Sequence, residues 1–281
     1  MQIFGVGFAG RHVKICYDSD DVAAFIDFLF SDLSSQLFEE YELELTFVRR
    51  SEPNTYAIFS TKGLLFEGTL GVKAAAVLYD VVIFNLLNYN NIGIALHAGA
   101  ISYQGKFILL PGESGAGKSS AVAWLTAHGF SYATDELVFL HECDLSRVVS
   151  FTRPICLKHG SVEPIIAEIT GHKHTILKDE WGAIVPHRLL NADYAVSSLS
   201  PGLIVFPTYK SDIPARLEKL SGAQVSTRLM ACCANARNLK GHGFREIVNM
   251  ARSLPAYQIT YSNFNEFGKV VEDLFSTLGR K

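Results

Sequence analysis

The chain has 281 residues, of which 48% are apolar and 19% charged. That composition excludes an intrinsically disordered chain and, at about 150 residues per domain, fits about two domains. Lys plus Arg number 25 against 28 Asp plus Glu, a net charge of −3, which excludes general electrostatic binding to nucleic acid.

Cys16, Cys143, Cys156, Cys232 and Cys233 are odd in number and contain no CxxC pair. This argues against a disulfide framework or a zinc ribbon, and a reducing, cytoplasmic setting is expected. The opening MQIFGVGFAGRHVKI lacks the basic start and apolar core of a signal peptide. The uncharged stretch from Val81 to Gly105 is broken by Asn85, Asn88, Asn90, Asn91, Gly93 and Gly99. No membrane partner is expected.

In chain order, Ile3 to Phe8 and His12 to Tyr17 read as strands. Asp18, Ser19 and Asp20 offer N-cap chemistry, and Val22, Phe25, Ile26 and Leu29 follow at helical spacing. Tyr41 to Val48 alternates as a strand with one wet face, and Tyr56 to Ser60 and Leu64 to Glu67 read as two more. An apolar helix is predicted from Val72 to about Leu87. The turn formers Asn88 to Gly93 place a domain boundary near residue 90.

Beyond it, Ala98 to Tyr103 and Lys106 to Leu110 form a predicted hairpin about Gln104-Gly105. The second strand runs into GESGAGKS, Gly112 to Ser119, which fits G-x-x-x-x-G-K-[ST] at every fixed position. Such a loop presents backbone amides and a helix N-terminus to phosphate oxygens. Gly112, Glu113, Ser114, Gly115, Ala116, Gly117, Lys118, Ser119 and Ser120 are the candidate nucleotide-binding residues. Lys118 would meet the β and γ phosphates and the Ser119 hydroxyl would hold Mg²⁺. The alternative is a glycine-rich strand-to-helix turn.

The loop alone specifies nucleotide binding, not a reaction. The nearest acids, Asp135-Glu136, open the apolar strand Leu137 to Leu140 instead of closing one. That departs from the common NTPase pattern. No Asn-Lys-x-Asp guanine reader is present. Leu220 to Gln224, LSGAQ, imitates a transporter-ATPase signature, but no acid follows before Glu246, so it reads as a loop and helix start. His141-x-Cys143 offers too few ligands for a metal. GHKHT, Gly171 to Thr175, reads as an exposed turn, and Arg237, Lys240 and Arg245 as a solvated helix face. Trp181, beside Gly182, is expected to be buried, a peptide groove shared with Arg188 being the alternative.

HAGAISYQGKFILLPGESGAGKSSAVAWLTAHGFSYATDELVFL, His97 to Leu140, resembles the catalytic core of HPr kinase/phosphorylase. Thr152 to Lys158, Val205 to Tyr209 and the tail LPAYQITYSNFNEF resemble the related kinases of ribosomal peptide maturation, including lasso peptide kinases. The resemblance implies an α/β protein: a P-loop kinase domain of the HPr kinase C-terminal type over residues 91–281, preceded by a small α+β domain over 1–90 that serves substrate recognition or assembly. Asp135 aligns with the catalytic base, Glu136 with a second acid near the metal, and His97 with a histidine that contacts the catalytic carboxylate. A turn Asp, a solvated Glu and a structural His are the respective alternatives. Glu113 stands where the family often has Asp. The signature Glu-Ile-Arg-Gly-Leu-Gly is missing, which argues against phosphorylase activity and against HPr as substrate. Arg153 and Lys158 are the candidates to supply the missing positive charge, with strand capping the alternative for Arg153.

The implied function is ATP- and Mg²⁺-dependent phosphorylation of a Ser or Thr hydroxyl in a peptide, such as the C-terminal Ser of a lasso precursor peptide, by a homo-oligomeric enzyme. Two alternatives stand beside it: a kinase for a free small molecule such as serine or a sugar, and an ATP-binding regulatory module that transfers nothing.

Overall fold

The computed structural model describes residues 1–36, 40–88, 90–113, 115–141, 144–169, 176–193 and 200–278. Ser114 of the expected loop, Cys143 of the His141-x-Cys143 pair and the Gly171 to Thr175 turn lie outside the described residues.

Alternating apolar residues near the N-terminus build a five-stranded sheet in the order β1-β2-β3-β4-β5. Its strands are β1 (Gln2–Phe8), β2 (Arg11–Tyr17), β3 (Leu43–Arg49), β4 (Tyr56–Ser60) and β5 (Gly63–Gly68). β2 and β3 run parallel, so a crossover must join them. Helix α1 (Asp20–Phe30) lies in that crossover and buries Val22, Phe25, Ile26 and Leu29, the residues at helical spacing. Phe25 meets Phe47 of β3 edge to face, with ring centroids 6.1 Å apart. Ser19 occupies the N-cap position, but its side chain makes no capping bond. Helix α2 spans Val72–Leu87, the predicted range, and Tyr79 on it packs edge-on against Phe30.

The chain then enters a second sheet through β6 (Gly93–Tyr103) and β7 (Lys106–Pro111). Gln104 and Gly105 between them both have positive φ, +50° and +77°, the backbone of a two-residue turn that matches strand twist. Helix α3 (Lys118–Ala127) and strands β8 (Ser131–Thr134), β9 (Leu137–His141) and β10 (Asp144–Ser150) follow. After β11 (Ile155–Leu157), α4 (His159–Ala167), β12 (Leu177–Asp179) and β13 (Gly182–Val185) come β14 (Pro201–Tyr209) and β15 (Arg216–Lys219). Helices α5 (Gly222–Ala231) and α6 (Phe244–Ser253), strand β16 (Ala256–Tyr261) and helix α7 (Phe264–Leu278) complete the described elements.

The second sheet has the order β10-β9-β6-β7-β14-β16-β15, with β8 also paired to β6. β7, β14 and β16 are mutually parallel. Their carboxyl ends therefore share one border, where open α/β sheets bind ligands. Ile94, Leu96, Ala98 and Ala100 of β6 point into one apolar core with Val225 and Leu229 of α5 and Ile247 and Met250 of α6. Gly99 points to the opposite face, where a Cβ would stand 2.6 Å from Val122 of α3. Helices thus cover both faces, and the absence of a side chain at residue 99 sets the approach of α3.

The chain divides into two compact units. The first comprises Met1–Asn90, Thr152–Glu163 and His172–Pro186, and the second Asn91–Phe151, Pro164–Gly171 and His187–Lys281. An uninterrupted second domain over 91–281 is therefore not what the contacts describe. Within the first unit β11, β13 and β12 form a three-stranded sheet. The Asp179 carboxylate on β12 accepts the Val72 backbone N–H at 2.8 Å, so a residue from far along the sequence caps α2. Trp181, expected to be buried, is 60% exposed in the turn between β12 and β13. The Lys73 ammonium lies 5.6 Å from the centre of its ring.

Candidate functional site

The glycine-rich loop leaves β7 at Pro111 and ends at the first turn of α3. Gly115 and Gly117 adopt φ of +90° and +91°, which any side chain would strain. At Gly117 a Cβ would also come within 3.0 Å of the Tyr261 hydroxyl oxygen. Lys118 is buried and folds back across the loop. Its Nζ donates to the Gly112 carbonyl at 2.6 Å and the Glu113 carbonyl at 3.0 Å. Ser119 and Ser120 are half-buried in the first turn of α3. A buried ammonium, helix-start amides and two hydroxyls form a donor set that fits a phosphate chain.

β6 connects this loop to the acidic pair. Ala98 pairs with Pro111 on one edge, and on the other its N–H donates to the Glu136 carbonyl at 3.1 Å. One strand therefore separates the root of the loop from Glu136, two inter-strand spacings or roughly 10 Å. Asp135 and Glu136 occupy the turn between β8 and β9. Thr134 pins that turn. Its hydroxyl donates to the Phe151 carbonyl at 2.6 Å and accepts the Glu136 N–H at 3.0 Å.

Asp135 is only 1% exposed. Its backbone N–H donates to the Tyr132 hydroxyl at 3.1 Å, and that hydroxyl lies 3.4 Å from Asp135 Oδ1, to which it donates. The Tyr132 ring stacks on His187 with centroids 4.5 Å apart. His97 was expected beside the catalytic carboxylate. The structure sets its Nε2 3.6 Å from Glu136 Oε1, the neighbouring acid of the pair. Successive side chains on a strand alternate, so His97 shares with Gly99 the face that carries α3.

Residues distant in sequence also pack around β6 and the loop. Cys232 lies close enough for the Lys118 charge and the Gly112 N–H to favour its thiolate, yet burial dominates and pushes the thiol up. The Cys232 carbonyl accepts the His97 N–H at 2.8 Å. Asn235 is buried and bridges β6: its Oδ1 accepts from Ala95 N and its Nδ2 donates to the Gly93 carbonyl, both at 2.9 Å. Tyr209 and Tyr261 pair in register at the ends of β14 and β16. The Tyr261 hydroxyl is buried with no hydrogen-bond partner among the described residues, and burial raises its pKa strongly. Cys232, Asn235 and Tyr261 are remote from the loop in sequence and are marked only by their buried polarity, whereas the Tyr209 ring is exposed.

Arg153 and Lys158 belong to the first unit, not to the unit that carries the loop. The Arg153 guanidinium sits 4.4 Å from the centre of the Tyr79 ring and its Nη1 donates to Cys156 Sγ at 3.1 Å. The Lys158 carbonyl accepts from the Ser161 backbone and hydroxyl, while its side chain is exposed. LSGAQ is a helix start: Ser221 caps α5 in a reciprocal capping box with Gln224. Among the described residues no group of three or more His, Cys, Asp or Glu is placed to hold a metal ion. No described helix is long and apolar enough to cross a membrane.

No protein-family model matches the chain, and no curated protein matches it. A solved structure of the HPr(Ser) kinase/phosphatase from Coxiella burnetii aligns with 65% of this chain and 94% of its own, at 13% identity and a TM-score of 0.32. A likeness that distant carries no functional argument, so the reading of function rests on the loop and the acidic pair.

Proposed function

We propose that the chain is a phosphotransferase that moves the γ-phosphoryl group of ATP to an alcohol, with Mg²⁺ required. The observation that carries this reading is the position of Ala98, flanked by the root of the phosphate loop on one edge and by Glu136 on the other. Lys118 and the loop amides hold the phosphates and offset the charge that builds on them. Asp135 takes the proton of the acceptor hydroxyl as that oxygen bonds to phosphorus. The Ser119 hydroxyl and the Glu136 carboxylate would hold Mg²⁺, which neutralises phosphate charge when bound. The acceptor we propose is a Ser or Thr hydroxyl of a peptide, in its most specific form the C-terminal Ser of a lasso precursor peptide.

A second reading has one observation in its favour. Asp135 is 1% exposed, and so enclosed a carboxylate suits a nucleotide-binding module that transfers nothing. Incubation with ATP, Mg²⁺ and candidate acceptors, followed by mass spectrometry, separates the two. A peptide heavier by one phosphoryl group supports the kinase, a phosphorylated metabolite moves the acceptor to a small molecule, and ADP without phosphorylated product supports the module. Asp135→Asn should keep ATP binding and lower transfer by about 10²- to 10⁴-fold; undiminished transfer would remove Asp135 from the mechanism.

A further inference from the structure

The loop and the acidic pair account for a phosphate chain and leave the nucleoside without a binding surface. Strand order supplies a direction. From β7, the acidic pair lies beyond β6, whereas β14 and then β16 lie on the other side. A phosphate chain that turns its terminal group toward Asp135 sends its opposite end toward β14. There the strand finishes with Tyr209, whose Cβ lies 3.5 Å from the place a Gly117 Cβ would take. Tyr209 is 52% exposed, a large aromatic ring in solvent beside the phosphate loop.

Its mounting is rigid. The ring meets Tyr261 edge to face, with centroids 5.8 Å apart and planes at 75°. Tyr261 is wholly buried and braced by Phe267 of α7 at 4.4 Å. Its hydroxyl, without a hydrogen-bond partner among the described residues, faces Gly117. An exposed aromatic fixed from beneath at the nucleoside end of a phosphate site has the properties of a stacking platform, because every nucleobase presents a π-face. We propose that Tyr209 is that platform and that the base of the bound nucleotide stacks on it. This rests on the nucleotide reading of the loop given above.

Affinities for Mg²⁺·ATP, Mg²⁺·GTP and inorganic tripolyphosphate, measured by calorimetry on the full chain, test it. Tyr209→Ala should weaken ATP and GTP alike, by roughly ten-fold, since stacking tolerates any base. Tripolyphosphate, which has no base, should bind the variant as it binds the parent. Tyr209→Trp should keep ATP affinity. Unchanged ATP affinity in Tyr209→Ala overturns the proposal, including the outcome in which only the KM for an acceptor peptide rises. Equal weakening of ATP and tripolyphosphate also overturns it, because the ring would then support the loop only. Failure of the parent to bind either ATP or tripolyphosphate would instead defeat the nucleotide reading, and the platform with it.

Discussion

His97 Nε2 lies 3.6 Å from Glu136 Oε1, across the pairing of β6 with β9. The histidine thus addresses the second acid of the pair, while Tyr132 addresses the first. These contacts set Tyr132 on Asp135 and His97 on Glu136, a division that predicts separable roles.

Substitution at this contact should reveal the division. Glu136→Gln should raise the Mg²⁺ concentration needed for half-maximal transfer while leaving metal-free ATP binding in place. His97→Ala should change thermal stability little, because even a charged contact this exposed would contribute only about 0–1 kcal/mol. Magnesium titrations of both variants and a melting curve for His97→Ala check this. An unaltered Mg²⁺ requirement in Glu136→Gln would take that residue away from the metal.

Gly99 is a packing requirement. A methyl group there would meet Val122 at 2.6 Å, and both residues are held by a strand and a helix that cannot shift freely. Gly99→Ala should destabilise by about 1–3 kcal/mol, the usual cost of overpacking. It should also weaken ATP binding, because α3 begins at the loop. Urea unfolding and nucleotide titration measure the two effects, and Gly99→Ala combined with Val122→Ala should recover part of both.

Asn235 satisfies two buried backbone groups of β6. Asn235→Ala leaves the Ala95 N–H and the Gly93 carbonyl without that amide, at about 1–3 kcal/mol for each group stranded. Chemical denaturation should show a lower midpoint at an unchanged slope. Asn235→Asp retains one acceptor and loses the donor, so it should fall between the parent and the alanine variant.

Burial pushes the Cys233 thiol up from 9.0 to about 11, with the Asn235 backbone opposing and Cys232 adding to the rise. The folded state therefore favours the neutral thiol. This stabilisation is complete below about pH 9, where the unfolded thiol is also protonated, and is lost as pH climbs toward 11. Cys233→Ser should flatten the decline of stability between pH 9 and 11 relative to the parent. An identical pH profile would show that Cys233 ionisation does not contribute.

Local chemistry was legible in the sequence wherever one segment contains its own reason. GESGAGKS forms the strand-to-helix loop that its spacing predicts, with Gly115 and Gly117 at positive φ. Gln104-Gly105 supplies the positive φ that its hairpin needs. Ser221 and Gln224 cap α5 within four residues, which disposes of the transporter-like LSGAQ. Other features rest on distant partners. Asn235 meets Gly93 from 142 positions away, and Asp179 caps α2 from 107. Trp181 is exposed although its side-chain type predicts burial, because the turn between β12 and β13 carries it outward. Tyr132 passed unnoticed since a tyrosine in an apolar strand ordinarily serves only as packing.

The return of Thr152–Glu163 and His172–Pro186 to the N-terminal unit has a practical consequence. Neither unit is a contiguous length of polypeptide. Truncation at residue 90 would strip α2 from the strand whose Asp179 caps it, and would leave that strand attached to the wrong fragment. Folding of the first unit must await synthesis of at least 186 residues, so it cannot finish on the ribosome before much of its companion has emerged.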